Sequence, residues 1–129
     1  MITALCSCRP SNDGRARAAT TVDEATQELV RCAFDDASPM LSDRGAPALE
    51  AHIRRALHAD RYAFSVRAGR CVGSISDALR QRDPRARELA DAWEALLPKA
   101  QSPTPNEIDL ERAIRRVGIA WRAARSAAH

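Results

Sequence analysis

From position 21 onward, apolar residues recur every three or four positions, and they nowhere alternate with period two for long, so the chain reads as a series of helices. Thr21-Val22-Asp23-Glu24 has the spacing of a capping box and opens a first helix with Val22, Ala25, Leu29, Cys32 and Ala33 on one face and Phe34 beside them. Asp35 to Pro39 stops it, because a proline disfavours helical geometry in the residue before it. Residues 42–47 form a turn-rich link, and Pro47 suits the first turn of a second helix carrying Leu49, Ile53 and Leu57. Asp60 caps a third, short helix through Ala68, with Gly69 as its end. A fourth helix is predicted from about Gly73 to Arg82. Asp83-Pro84 starts a fifth, with Ala86, Leu89, Ala90, Trp93, Leu96 and Leu97 on its inner face, and Pro98 to Pro103 breaks the chain. Thr104-Pro105-Asn106-Glu107 is a second capping box, before a helix bearing Leu110, Ile114, Val117 and Trp121. Trp93 and Trp121 read as core anchors. The fold expected is all-α: a small bundle of five to six helices over residues 21–129, preceded by a flexible N-terminal arm at 1–20.

Composition narrows this further. Alanine supplies 26 of the 129 residues, whereas Leu, Ile, Val and Phe together supply 23. Alanine is the best helix former and a poor strand former, so a β-rich fold is excluded and the core must be thin. All but one of the 20 basic residues are arginine, which suits a GC-rich coding sequence and makes the arginine count weak evidence for an anionic partner. No run of apolar residues is long enough for a membrane span. The N-terminus lacks the basic start and apolar stretch of a secretory signal, so a cytoplasmic location is expected. The Ser, Arg and Ala of residues 1–20 leave export through another kind of signal open.

Candidate chemistry is sparse. Cys6 and Cys8 have the wrong spacing for a zinc knuckle, and His52, His58 and His129 make no partner knuckle, so neither metal nor cofactor is expected. Cys32 and Cys71 read as small buried hydrophobes, Cys6 and Cys8 as a loose pair in a reducing compartment, and His52 and His58 as surface residues. There is no nucleophile elbow, phosphate-cradling glycine loop or His-Glu-x-x-His sequence, and the chain is not expected to be an enzyme.

The informative stretch is Arg61 to Leu79. Gly69 falls where a tight turn is wanted, Phe64, Ala68, Val72, Ile75 and Ala78 supply an inner face, Ser65 is the small residue four before the glycine, and Ser74-Ile75-Ser76 opens a second helix. Val66 and Leu79 add to the same core. This segment resembles a helix-turn-helix, in which the second helix enters the major groove. With Arg82-Asp83-Pro84 stepping into the next helix, residues 61–97 are similar in layout to small terminase subunits and related phage-type regulators. The resemblance implies contact with double-stranded DNA through Arg67, Arg70, Ser74, Ser76, Asp77, Arg80 and Arg82. Two residues depart from the pattern: Arg70 stands where an apolar residue is usual, and Asp77 places a carboxylate on the face turned to DNA.

Charge placement agrees with that reading, for residues 61–87 hold seven arginines against Asp77 and Asp83, a balance of +5. Arg112, Arg115, Arg116, Arg122 and Arg125 form a second basic set along the last helix, suited to gripping a nucleic-acid backbone or to solvating the helix. The leading expectation is a regulator or a packaging or recombination accessory that binds duplex DNA, with a homodimer possible. The alternative is a non-enzymatic helical protein-interaction module, such as a secreted effector domain or secretion chaperone, whose thin core leaves apolar faces for a partner. Exposure of Ser74, Asp77 and Arg80 on a basic ridge separates the two.

Overall fold

In the computed structural model, the described residues are 21–34 and 46–127. The expected arm at 1–20, the stop at 35–39, residues 42–45 of the link expected at 42–47, Cys6, Cys8 and His129 lie outside them, and the last two link residues already belong to a helix that begins at Ala46. Every regular element among the described residues is helical: α1 (Val22–Phe34), α2 (Ala46–Cys71), a turn of 3₁₀ helix (Val72–Ser74), α3 (Asp77–Arg82), α4 (Pro84–Gln101) and α5 (Glu107–Ala127).

Local chemistry sets most of the boundaries. The α1 capping box forms as expected, with the Thr21 amide donating to Glu24 Oε1 at 3.1 Å and the Glu24 amide to Thr21 Oγ1 at 3.1 Å. Within α2 the backbone at Asp60 is extended (φ −159°, ψ 92°), so two limbs, 46–59 and 61–71, meet at a one-residue break. Asp60 Oδ1 then accepts from the Ala63 amide at 3.0 Å, which makes it the cap of the second limb. Asp83 caps α4 in the same way, accepting from the Arg85 amide at 2.9 Å.

Two helix ends differ from expectation. Pro98 sits exposed inside α4, which continues to Gln101. A proline this near the C-terminus removes one hydrogen bond without ending the packing of Leu96 and Ala100 on the inner face. At α5 the cap is Asn106, whose Oδ1 accepts from the Asp109 amide at 3.0 Å, while the Thr104 amide donates to Ser102 Oγ at 3.3 Å.

The helices surround one apolar cluster. α4 and α5, joined by a short connection, pack on each other most extensively, and α2 lies against both. Trp93 and Trp121 are buried as expected, together with Leu29, Leu49, Ile53, Phe64 and Leu89. Phe34, Phe64 and Trp93 form a ring cluster with centroids 5.4–6.4 Å apart. His52 is edge-on to Phe34 at 5.8 Å and half-buried, not the free surface residue its spacing suggested. Both indole N–H groups are buried without an acceptor among the described residues, which costs about 1–3 kcal/mol each. Burying about 200 Å² of ring at roughly 25 cal/mol per Å² outweighs that cost.

Alanine and glycine let the helices come close. Ala33, Ala68, Ala90, Ala92 and Ala124 are fully buried, so backbones meet with little side chain between them. At Gly118 of α5 the Glu50 side chain of α2 occupies the space a Cβ would take. Arg54 fastens that crossing, its Nε bonding both Glu111 carboxylate oxygens (3.0 and 2.6 Å) and its Nη2 bonding Glu50 at 3.2 Å. The hydrogen bonds from Glu111 raise the Arg54 pKa above its ordinary value.

The α4 cap carries a pH dependence. Arg85 Nε and Nη2 grip both oxygens of Asp83, at 3.0 and 2.7 Å, and hold its pKa at about 2 instead of the usual 3.8. A carboxylate depressed in the folded state stabilises above its unfolded pKa, and the gain is lost as pH falls through the folded value. Wild type should therefore exceed Asp83→Asn in urea midpoint at neutral pH. The gap should narrow as pH falls from about 4 to about 2, and a constant gap would contradict the assignment.

Candidate interaction surfaces

Two surfaces bear on function: the bend that follows α2, and the outward face of α5. Around the bend, the inner residues Phe64, Ser65, Ala68, Val72, Ile75 and Leu79 are buried as expected, whereas Val66 and Ala78 point outward. The turn itself is displaced. The second limb of α2 runs through Gly69 to Cys71, and the chain bends at 72–76. Gly69 is exposed in regular helix, and a Cβ there would meet Leu97 Cδ1 at an ordinary 3.6 Å, so nothing in the backbone requires glycine. The bend shortens the following helix to the six residues of α3 instead of the ten expected.

The seven residues expected to face DNA part company here. Arg67 Nε donates to the Ala33 carbonyl at the end of α1 (2.8 Å), and its guanidinium lies 5.8 Å from the centre of the Phe64 ring. Arg80 Nε donates to the Ile75 carbonyl at 3.3 Å, and its Nη2 pairs with Glu94 at 3.2 Å. Ser76 is the α3 cap, accepting from the Leu79 amide at 3.2 Å, and Ser74 Oγ is buried without a partner. Arg70, Asp77 and Arg82 stand exposed. Arg67, Arg80 and Ser76 thus bond within the fold and Ser74 Oγ is buried, while Arg70, Asp77 and Arg82 face outward.

A disulfide completes the bend. Cys32 of α1 is bonded to Cys71, with Cα atoms 5.6 Å apart and a sequence separation of 39. Cys71 is buried and Cys32 is exposed, which corrects the reading of both as free small hydrophobes. The bond and the Arg67–Ala33 contact tie the last turn of α1 to the last turn of α2.

The outward face of α5 was only half visible in the sequence. Ile108, Arg112, Arg115, Ile119 and Arg122 are all exposed, and their 4-3-4-3 spacing puts them in one narrow stripe. The isoleucines are 69% and 54% exposed, far above Leu110, Ile114 and Val117 on the same helix. Arg112 makes a long, highly exposed contact with Asp109 (3.4 Å), worth little in water. The other members of the second basic set are engaged elsewhere. Arg116 holds Glu88 of α4 at 2.9 Å, which lowers the Glu88 pKa, and Arg125 lies over Trp121 at 5.1 Å. Sequence reasoning had noted the arginines but missed the two isoleucines among them, because attention to the inner row of Leu110, Ile114, Val117 and Trp121 hides an outer row in the same helix.

Among the described residues, no group of three or more His, Cys, Asp or Glu is placed to hold a metal, and no helix is long and apolar enough to cross a membrane. Compared with known protein families, with curated proteins and with solved structures, the chain matches none.

Two measurements check this description. Gly69→Ala should raise stability by about 0.5–1 kcal/mol in urea unfolding, as for a helical glycine, whereas a left-handed turn at that position would be destabilised. Reduction of Cys32–Cys71, which closes a loop of 39 positions, should cost about 2–4 kcal/mol and lower the melting temperature. A Cys32→Ser/Cys71→Ser variant should melt at the lower temperature with or without reductant.

Proposed function

We propose that this chain is a helical protein-interaction module that acts by binding, in the manner of an effector domain or a secretion chaperone, and is not a reader of duplex DNA. The observation that carries this reading is the fate of the arginines at the bend. Arg67 and Arg80 are spent on main-chain carbonyls and on Glu94, in the segment where a DNA reader needs free cations. Apolar side chains, by contrast, stand in water: Tyr62 is 70% exposed, and Ile108 and Ile119 mark α5. Exposed apolar surface of this kind is what a protein partner covers.

The disulfide supports an oxidising destination. Such bonds persist outside the reducing cytosol, so Cys32–Cys71 fits an exported protein better than the cytoplasmic location the sequence suggested.

The test is a titration of a mixed-sequence 20-base-pair duplex at low salt. Wild type and Arg70→Ala/Arg82→Ala are expected to bind it equally weakly. Tight binding whose log K falls steeply with log salt, with the slope reduced by about 1.8 in the double variant, would replace this reading with the DNA one.

A further inference from the structure

We propose that the outward face of α5 is a docking seam for an acidic amphipathic helix of another protein. This rests on the interaction-module reading and specifies its surface and partner. The seam runs from Ile108 to Arg122, about 21 Å at 1.5 Å per residue, and is straight because α5 is unbroken. Its 4-3-4-3 spacing is the repeat by which one helix lies along another, yet no element among the described residues covers it. At its N-terminal end a depression of about 350 Å³, lined by Glu107, Ile108, Glu111, Arg112 and Arg115, offers a hole for an apolar side chain from above.

Charge selects the occupant. Arg115 and Arg122 form no hydrogen bond or ion pair with any described residue, and Arg112 holds only its long contact with Asp109. A second copy of the chain fits poorly. A parallel pairing sets each arginine on itself, and the antiparallel register that brings Ile108 onto Ile119 sets Arg112 on Arg115. Like charges on facing seam positions oppose both. A nucleic-acid backbone would use the arginines but leave Ile108 and Ile119 facing phosphate. A helix with apolar residues opposite the isoleucines and carboxylates opposite the arginines satisfies every position.

The experiment presents the full, oxidised chain to a displayed library of 18-residue helices. Seam positions in the library vary among Leu, Glu, Lys, Gln and Ser. Selected helices should carry Leu opposite the isoleucines and Glu opposite the arginines. A synthetic peptide of the selected sequence should bind wild type and lose about tenfold or more in affinity on Ile119→Asp. Arg112→Glu/Arg115→Glu/Arg122→Glu should reverse the selection from Glu to Lys, a readout that a merely structural role would not give. Selection of Lys or of uncharged helices by wild type, or of none, overturns the acidic partner. Selection unaffected by the α5 variants but lost in Tyr62→Asp moves the docking surface to α2 and leaves the module reading intact. Duplex DNA binding abolished by the charge-swapped variant overturns both.

Discussion

The whole structure depends on how closely helices must approach when large apolar side chains are few. Alanine lines much of the buried surface, and two tryptophans, two phenylalanines and a limited set of leucines and isoleucines fill the rest. Hydrophobic stabilisation scales with the area removed from water, and small side chains contribute it only if the backbones behind them nearly touch. Hence Gly118, where Glu50 crosses α5, and hence the Arg54 clamp that holds α2 to that crossing. The same shortage explains why so many arginines are structural. Their aliphatic stems and forked donors cover helix ends and rings that a richer core would have covered with carbon.

That economy decides what is left for function. An arginine bonded to a main-chain carbonyl, as Arg67 is to Ala33, is half-buried and has its geometry fixed. It is worth more to the fold than to a passing phosphate. The arginines of the α5 seam have no such employment, and they alternate with aliphatic side chains that the fold has also left unused. Residual stickiness and residual charge therefore coincide on one helix.

Much of the helical layout was legible in the sequence, for physical reasons that can be named. Thr21 and Glu24 form their box because both partners are local, and Asp60 and Asp83 cap because each lies next to a helix start. What was not legible was decided by contacts distant in sequence. Gly69 looks like a turn residue, but Cys71 and Val72 are pulled into the core beside α1, and the helix must extend to deliver them. The pairing of Cys32 with Cys71 is a fact of three-dimensional proximity that no spacing rule encodes. Pro98 fails to stop α4 because neighbouring residues have more to gain from packing than one hydrogen bond is worth. Of the seven residues of the expected DNA face, Arg70, Asp77 and Arg82 stand exposed and the other four are half-buried. Periodicity reports which side is buried more faithfully than it reports what the other side does.

The lone extended residue at Asp60 has a geometric consequence. In an uninterrupted helix each position turns about 100° from the last, so a rod running straight through 60 would fix the azimuth of everything beyond it. One non-helical step resets that azimuth. It lets Leu49 and Ile53 before the break and Phe64 and Ala68 after it all be buried, with no loop spent on the change. Position 60 is therefore the phase joint of the molecule: lengthening or shortening the chain there by a single residue would rotate the second limb as a body and swing the sulfur of Cys71 away from α1.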